Sequence, residues 1–189
     1  MNKLDELEGL RNRVLCCYHC GLCKTRSNIV FGVGNLDAKI MLVGESPGKD
    51  EDEQGIPFVG RAGQRLNKFI SEAGLVREDL YIANILKCRP PDNRAPEGHE
   101  MSVCSKFLDE QIDIIEPEVI IALGATAVKK FLNDRYVKIT QIRGNWYEYR
   151  GIKLMPTFHP AFILRQSSKE NVDKVRQDFG TVVESLGNY

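Results

Sequence analysis

Lys39-Ile40-Met41-Leu42-Val43 is a short apolar run that stops at Gly44. A run of this kind, with no polar alternation, suits a strand buried on both faces. The chain then reads Gly44-Glu-Ser-Pro-Gly-Lys-Asp-Glu-Asp-Glu-Gln-Gly-Ile-Pro-Phe-Val-Gly60, 17 residues with little periodicity. Structureless loops of that length are uncommon in compact domains unless they serve a function. In open α/β sheets ligands bind beyond the carboxyl ends of the strands, and this loop leaves such an end. Its glycines let the backbone approach a ligand closely.

Outward from this stretch, strands and helices alternate. The apolar spacing predicts helices over residues 3–16, 60–73, 98–115, 124–132 and 168–186. Strands are expected over 39–43, 80–86 and 119–123, with a hairpin or two short strands at 142–149 and 152–155 around Arg150-Gly151. Pro90 and Pro91 forbid any regular ladder after the second strand. Alternation of this kind implies an α/β fold: a parallel sheet covered by helices on both faces. No repeat, low-complexity tract or linker interrupts the chain, so residues 1–189 are expected to form one domain.

Composition excludes several classes. The 189 residues are 42% hydrophobic and 28% charged, which fits a folded chain and not a disordered one. Lys plus Arg is 26 and Asp plus Glu is 26, so a globally basic nucleic-acid coat protein is excluded, whereas a local basic patch is not. The longest apolar runs, such as 119–123, fall far short of a membrane span of about 20 residues. The N-terminal segment is too acidic for a signal peptide, and the expected location is the cytoplasm.

Six cysteines stand at 16, 17, 20, 23, 88 and 104, four of them within eight residues. In a chain of this kind the pattern favours a metal or cluster over disulfides. Both Cys17-x-x-Cys20 and Cys20-x-x-Cys23 have spacing that lets two thiolates reach one centre. Zinc competes with an iron–sulfur cluster for such a set. The loop at Gly44 is not a nucleotide-binding loop: three residues, not four, separate its glycines, Asp50 stands where a magnesium-binding hydroxyl belongs, and five acids would repel a triphosphate. Asp52 and Glu53 read as solvated acids, but Glu45 lies two residues past the strand, where the sheet ends. His159 follows the last strand and precedes Pro160, which fixes the local backbone.

Four separated motifs, in order, carry a resemblance. Gly44-Glu45-Ser46-Pro47-Gly48, Gly55-Ile-Pro57-Phe58-Val-Gly60-Arg61-Ala62-Gly63, Asn84-Ile-Leu-Lys87-Cys88-Arg89-Pro90-Pro91 and His159-Pro160 together resemble the family 4, iron–sulfur, uracil-DNA glycosylases. The resemblance runs from about Cys17 to Arg165. It implies a three-layer α/β/α sandwich around a central, mostly parallel four-stranded sheet. It also implies a monofunctional enzyme that releases uracil from single- or double-stranded DNA, acting as a monomer.

The same resemblance implies the site. A [4Fe–4S] cluster would be held by Cys17, Cys20, Cys88 and Cys104. Leu22, Arg26 and Phe31-Gly32 follow Cys20 at the family's offsets, which leaves Cys16 and Cys23 as bystanders. Phe58 would stack on a flipped uracil, Asn84 would read its edge, and His159 would stabilise the departing base. Glu45 would position or polarise a water, alone or with the backbone at Ser46. Many family members carry Ala or Gly at the latter position. Glu51 would lie near uracil C5 or be a solvated loop acid. Lys87, Arg89 and Arg94 would contact DNA phosphates. Phe162-Ile163-Leu164 would wedge into the minor groove or pack into the core, and Arg165 would hold a phosphate. Two other readings stay open at this stage: a non-catalytic iron–sulfur or zinc DNA-binding module, and a glycosylase for another deaminated base.

Overall fold

The structure is a computed structural model that describes residues 2–187; Met1 and residues 188–189 lie outside the described part. In chain order the elements are α1 (Lys3–Leu15), β1 (Val33–Gly34), β2 (Ile40–Gly44), α2 (Lys49–Gln54), α3 (Arg61–Glu72), β3 (Tyr81–Asn84) and α4 (Gly98–Ile115). There follow β4 (Val119–Leu123), α5 (Ala125–Leu132), α6 (Ile139–Ile142), β5 (Tyr147–Tyr149), β6 (Ile152–Thr157), α7 (Pro160–Arg165) and α8 (Lys169–Ser185).

Every residue of β2, β3 and β4 is buried, and the two-residue period of a strand divides them between two cores. Ile40, Leu42, Ile82, Val119, Ile121 and Leu123 face one side, against Leu66, Phe69 and Ile70 of α3, Ile163 of α7 and Val175 and Phe179 of α8. Met41, Val43, Ala83, Ile120 and Ala122 face the other, against Leu108, Ile112 and Ile115 of α4 and Val128 and Phe131 of α5. Each large aliphatic or aromatic side chain so buried contributes roughly 1.5–3 kcal/mol relative to exposure. The expected three-layer α/β/α sandwich is therefore present. A third, smaller cluster joins Leu10 and Val14 of α1 to Phe107 of α4, with Leu22, Phe31, Leu86, Cys88 and Cys104 between them.

The sheet order is β1-β3-β2-β4-β6-β5, six strands where four were expected. The central four, β3-β2-β4-β6, are parallel, and β1 and β5 add short antiparallel edges. Two- and three-residue strands are too short to leave a periodic trace. The expected hairpin exists as β5 and β6, turning through Arg150 and Gly151, both at positive φ. Its first arm is shorter than predicted, because residues 139–142 form α6. The loop after β2 is not structureless either: α2 lies inside it, hidden by its lack of apolar residues.

Parallel pairing brings the site residues together. Gly44 is opposite Asn84 in the β2–β3 register, and Leu123 is opposite Thr157 in the β4–β6 register. Beyond β3 the chain stays beside β2, with the Ile85 and Leu86 N–H groups donating to the carbonyls of Gly44 and Glu45, each at 3.0 Å. Glu45, Asn84, Gly124 and His159 thus all emerge at one end of the sheet.

Behind that end, α8 is tied to β6 by Asp178, which is 1% exposed. Its carboxylate accepts hydrogen bonds from both the Nε and Nη2 of Arg143 and from the Thr157 hydroxyl. Removing one member of a buried ion pair leaves the others unpaired. Asp178→Ala should lower stability by roughly 3–5 kcal/mol in urea unfolding. A loss below about 1 kcal/mol would show that the Arg143 contact is not holding α8.

Candidate functional site

A cleft of about 600 Å³ opens at the carboxyl ends of the parallel strands. Its wall gathers Glu45, Ser46, Pro47 and Gly48 from the loop after β2, with Glu51 and Phe58 further along that loop. Asn84 comes from the end of β3, Gly124 to Thr126 from the start of α5, and His159 and Phe162 from the start of α7. Phe58, Asn84 and His159 therefore share one cavity.

Phe58 adopts φ 54°, a left-handed conformation unusual for a non-glycine residue, and is almost fully buried. Its ring centroid lies 5.8 Å from that of His159, tilted by 36°. One part of the ring belongs to the core and the rest faces the cleft, so the two roles are not exclusive. Gly44 forms the floor beneath it. A β-carbon there would fall 2.4 Å from Asn84 Oδ1 and 2.6 Å from Phe58 Cζ, so only glycine allows both side chains to pack this closely.

Asn84 is 2% exposed, and its Oδ1 is buried with no hydrogen-bond partner. Its backbone carbonyl accepts from Lys87 Nζ at 2.8 Å. Lys87 corrects a sequence expectation. It is 1% exposed and does not reach out to phosphates; its second partner is Gln111 Oε1 at 2.5 Å. Gln111 is anchored in turn, donating from Nε2 to the Phe31 carbonyl and the Tyr81 hydroxyl, each at 3.0 Å. Burial lowers the Lys87 ammonium to a pKa of about 8, against the opposing pull of Cys104 and Cys88.

His159 Nδ1 accepts a hydrogen bond at 3.1 Å from the Ala161 N–H, within the first turn of α7. That bond needs an unprotonated Nδ1 and leaves the ring proton on Nε2. Burial above all, then the neighbouring Arg165 charge, lowers the imidazole to a pKa of about 4. The ring is a neutral donor at ordinary pH.

Two acids of the loop, Glu51 and Asp52, are not solvated. Glu51 is neither solvated nor free: its carboxylate accepts from the N–H groups of Gly48 at 3.1 Å, Val59 at 2.9 Å and Gly60 at 2.8 Å. These three bonds hold the loop that carries Ser46 and Phe58. Asp52, expected as a solvated acid, is buried and accepts from the Ser27 and Asn28 N–H groups. Glu53 is exposed, as expected. Glu45 is half-buried at the cleft, and its Oε2 accepts from the Thr126 hydroxyl, a partner 81 residues away that no sequence motif singles out.

At the rim, Arg165 is exposed, and Arg89 is half-buried with its Nε donating to Asn93 Oδ1 at 2.8 Å. Asp92 and Asn93 both hold left-handed φ angles near 54°, turning the chain so that Asn93 lines the cleft. Arg94, expected at a phosphate, forks its guanidinium onto Glu100, with bonds of 2.9 and 2.6 Å, and stays partly exposed. Of the expected wedge, Ile163 is buried and Phe162 packs on Phe158 with centroids 4.8 Å apart. Leu164 alone is exposed, at 39%.

A second pocket is lined by Cys17, Cys20, Cys23, Cys88 and Cys104, with Arg26 and Phe107; Cys16 is exposed and outside it. Among the described residues no three Cys, His, Asp or Glu side chains gather closely enough to hold a single metal ion. The thiols surround a shared space. Burial raises Cys20 and Cys88, and raises Cys104 to a pKa of about 11. Donors already point at the sulfurs: Arg26 Nη1 lies 3.3 Å from Cys88 Sγ, and the Lys87 N–H donates to Cys104 Sγ at 3.2 Å. An all-thiol set with cationic and amide donors beside it suits the thiolates and sulfides of an iron–sulfur centre. Cys17 and Cys20 pack with Cys88 and Cys104 in the α1–α4 cluster.

The sequence matches known proteins over most of its length. Residues 31–182 match the Uracil DNA glycosylase superfamily. A Type-4 uracil-DNA glycosylase of Thermotoga maritima is 50% identical over 165 residues, 87% of this chain and 86% of that protein. The Type-4 uracil-DNA glycosylase of Sulfurisphaera tokodaii is 42% identical over 187 residues, 92% and 85% of the two chains. That of Archaeoglobus fulgidus is 38% identical over 191 residues, 97% and 95%. With the cleft at the ends of the parallel strands and the cysteine pocket between α1 and α4, these matches make the chain a member of the uracil DNA glycosylase superfamily, of the type-4 group.

Proposed function

We propose that this protein is a monofunctional DNA glycosylase that hydrolyses the N-glycosidic bond of uracil in DNA, releasing free uracil and leaving an abasic site that base excision repair then completes. One observation carries the reading: the unpartnered, buried Oδ1 of Asn84 shares a cleft with an aromatic face and a neutral imidazole donor. An unpaired buried acceptor costs roughly 1–3 kcal/mol, and the N3–H of a bound uracil offsets that cost.

A uracil stacked in a duplex cannot be reached, so it is first turned out of the helix. Phe58 then lies against its face. Asn84 accepts from N3–H and donates to O4, a pattern that cytosine reverses. Breaking the N1–C1′ bond leaves the electron pair on uracil, with negative charge at O2. The Nε2–H of His159 donates to that oxygen, an interaction that strengthens only as charge develops. The sugar becomes cation-like, and a water adds at C1′ and gives up a proton, which neutralises the departed uracil anion. Glu45 positions that water, with the Ser46 backbone beside it. Glu51 acts through the loop that it holds. Arg89 and Arg165 meet phosphates, and Leu164 enters the vacated stack while Phe162 forms the cleft wall.

Cys17, Cys20, Cys88 and Cys104 would hold a [4Fe–4S] cluster, which when bound supplies a rigid cross-link between the segment after α1 and the Lys87–Asn93 segment. Cys17 and Cys20 pack against Cys88 and Cys104, whereas Cys23 lines the pocket without joining that cluster, and this supports the set over one containing Cys23. The protein works as a single domain and a monomer, and among the described residues no helix is long and apolar enough to cross a membrane.

The deciding experiment incubates the protein with a uracil-containing oligonucleotide, without magnesium, and analyses the products. Free uracil and an alkali-labile strand are expected; binding without base release would instead favour a non-catalytic module. His159→Ala should reduce the single-turnover rate by about 10²–10³-fold with binding largely kept, as for loss of an oxyanion donor. Asn84→Asp should abolish the preference for uracil over cytosine.

The depressed His159 pKa also fixes a sign. An unfolded histidine takes up its proton near pH 6.5 and the native one near 4, so stability falls as pH drops through that window. Imidazole NMR should find His159 neutral at pH 5.5; a native titration near 6.5 would contradict the assigned environment. As for the cysteines, protein purified without oxygen should be brown and carry about four irons. Cys17→Ala and Cys104→Ala should bleach it, and Cys16→Ala should not. A colourless protein with one zinc would overturn the cluster.

A further inference from the structure

The turn from β4 into α5 sits between the two groups assigned to the chemistry. Gly124 has φ 91°, and its N–H donates to the Thr157 carbonyl at 2.9 Å, two residues before His159. A β-carbon at Gly124 would fall 2.9 Å from His159 Cβ, so the turn packs directly against the catalytic ring. Two residues on, the Thr126 hydroxyl donates to Glu45 Oε2. Glu45, Gly124, Thr126 and His159 all line the same cleft.

A glutamate side chain at a half-open cleft has three rotatable bonds, and nothing else in the structure donates to the Glu45 carboxylate among the described side-chain bonds. The Thr126 hydroxyl is thus the restraint on its direction. Its other oxygen, Oε1, is left to accept from a water. Thr126 also stands in the first turn of α5, where the amino end of a helix favours a carboxylate.

We infer that Thr126 is a positioning residue for water attack: it aims the Glu45 carboxylate, and the Gly124–Thr126 turn sets the spacing between that carboxylate and the His159 ring. This rests on the reading that Glu45 positions the attacking water. The role needs a hydroxyl on a short side chain, which serine would also supply and valine, of the same shape, would not.

The test is single-turnover uracil release by Thr126→Val, Thr126→Ser, Glu45→Gln and the double variant Thr126→Val/Glu45→Gln, with circular dichroism and melting temperature as checks on folding. Thr126→Val should lose about tenfold in rate, the size expected for one hydrogen bond to a charged group, with KM for uracil-DNA nearly unchanged. Thr126→Ser should restore most of the rate, and Thr126→Val should cost nothing further in the Glu45→Gln background. Full activity in Thr126→Val, or an equal loss in both backgrounds, would overturn the inference. Should Glu45→Gln itself keep the wild-type rate, the assignment of Glu45 to the water fails, irrespective of what Thr126→Val does.

Discussion

An ammonium group cannot be buried without acceptors, and Lys87 is buried almost completely. Its two acceptors are the carbonyl of Asn84 and the side chain of Gln111, so the charge fixes the end of β3 to α4. Its own backbone N–H points at Cys104, and Cys88 is the next residue. One side chain therefore stands between the thiol pocket and the Asn84 amide that lines the cleft. Whatever shifts α4 or the cysteine segment must either carry Asn84 with it or leave the charge unpaired. The buried unsatisfied charge would cost several kcal/mol, far more than an exposed ion pair contributes.

The remainder of the site follows from parallel pairing. Four strands running the same way deliver four loop openings to one edge, and each opening supplies a different chemical function. The loop after β2 brings a carboxylate and an aromatic ring, β3 an amide, β4 a hydroxyl, and β6 an imidazole. The acidic loop is kept from repelling the site by turning its own acids inward onto backbone N–H groups, as Glu51 and Asp52 do. The exposed rim then retains Arg165, so a chain of zero formal net charge still presents a cation beside the cleft.

Much of this was legible in the sequence where the signal is local. The central strands, the long helices and the residues Phe58, Asn84 and His159 could be read from apolar period, loop position and motif. What escaped depends on partners distant in sequence. Lys87 lies in a stretch that also holds Arg89 and Arg94, and so resembles a phosphate-binding surface; its burial is decided by Gln111, 24 residues away. Arg94 is paired with Glu100, six residues on, after a turn through the left-handed Asp92 and Asn93. Asp52 is matched by Ser27 and Asn28, and Thr126 by a glutamate 81 residues earlier. The edge strands and α2 were too short or too polar to leave a pattern.

The floor at Gly44 limits how this cleft can diversify. Even a methyl group there would strike both the amide and the ring, so a side chain at position 44 is sterically barred, and room for a bulkier base has to come from the mouth instead. Ala62 of α3 and Ile139 and Thr140 of α6 line the cleft and are not locked between Asn84 and Phe58. Adjustment of the cleft's shape is thereby left to the periphery, while the packing of Asn84 and Phe58 over Gly44 stays fixed.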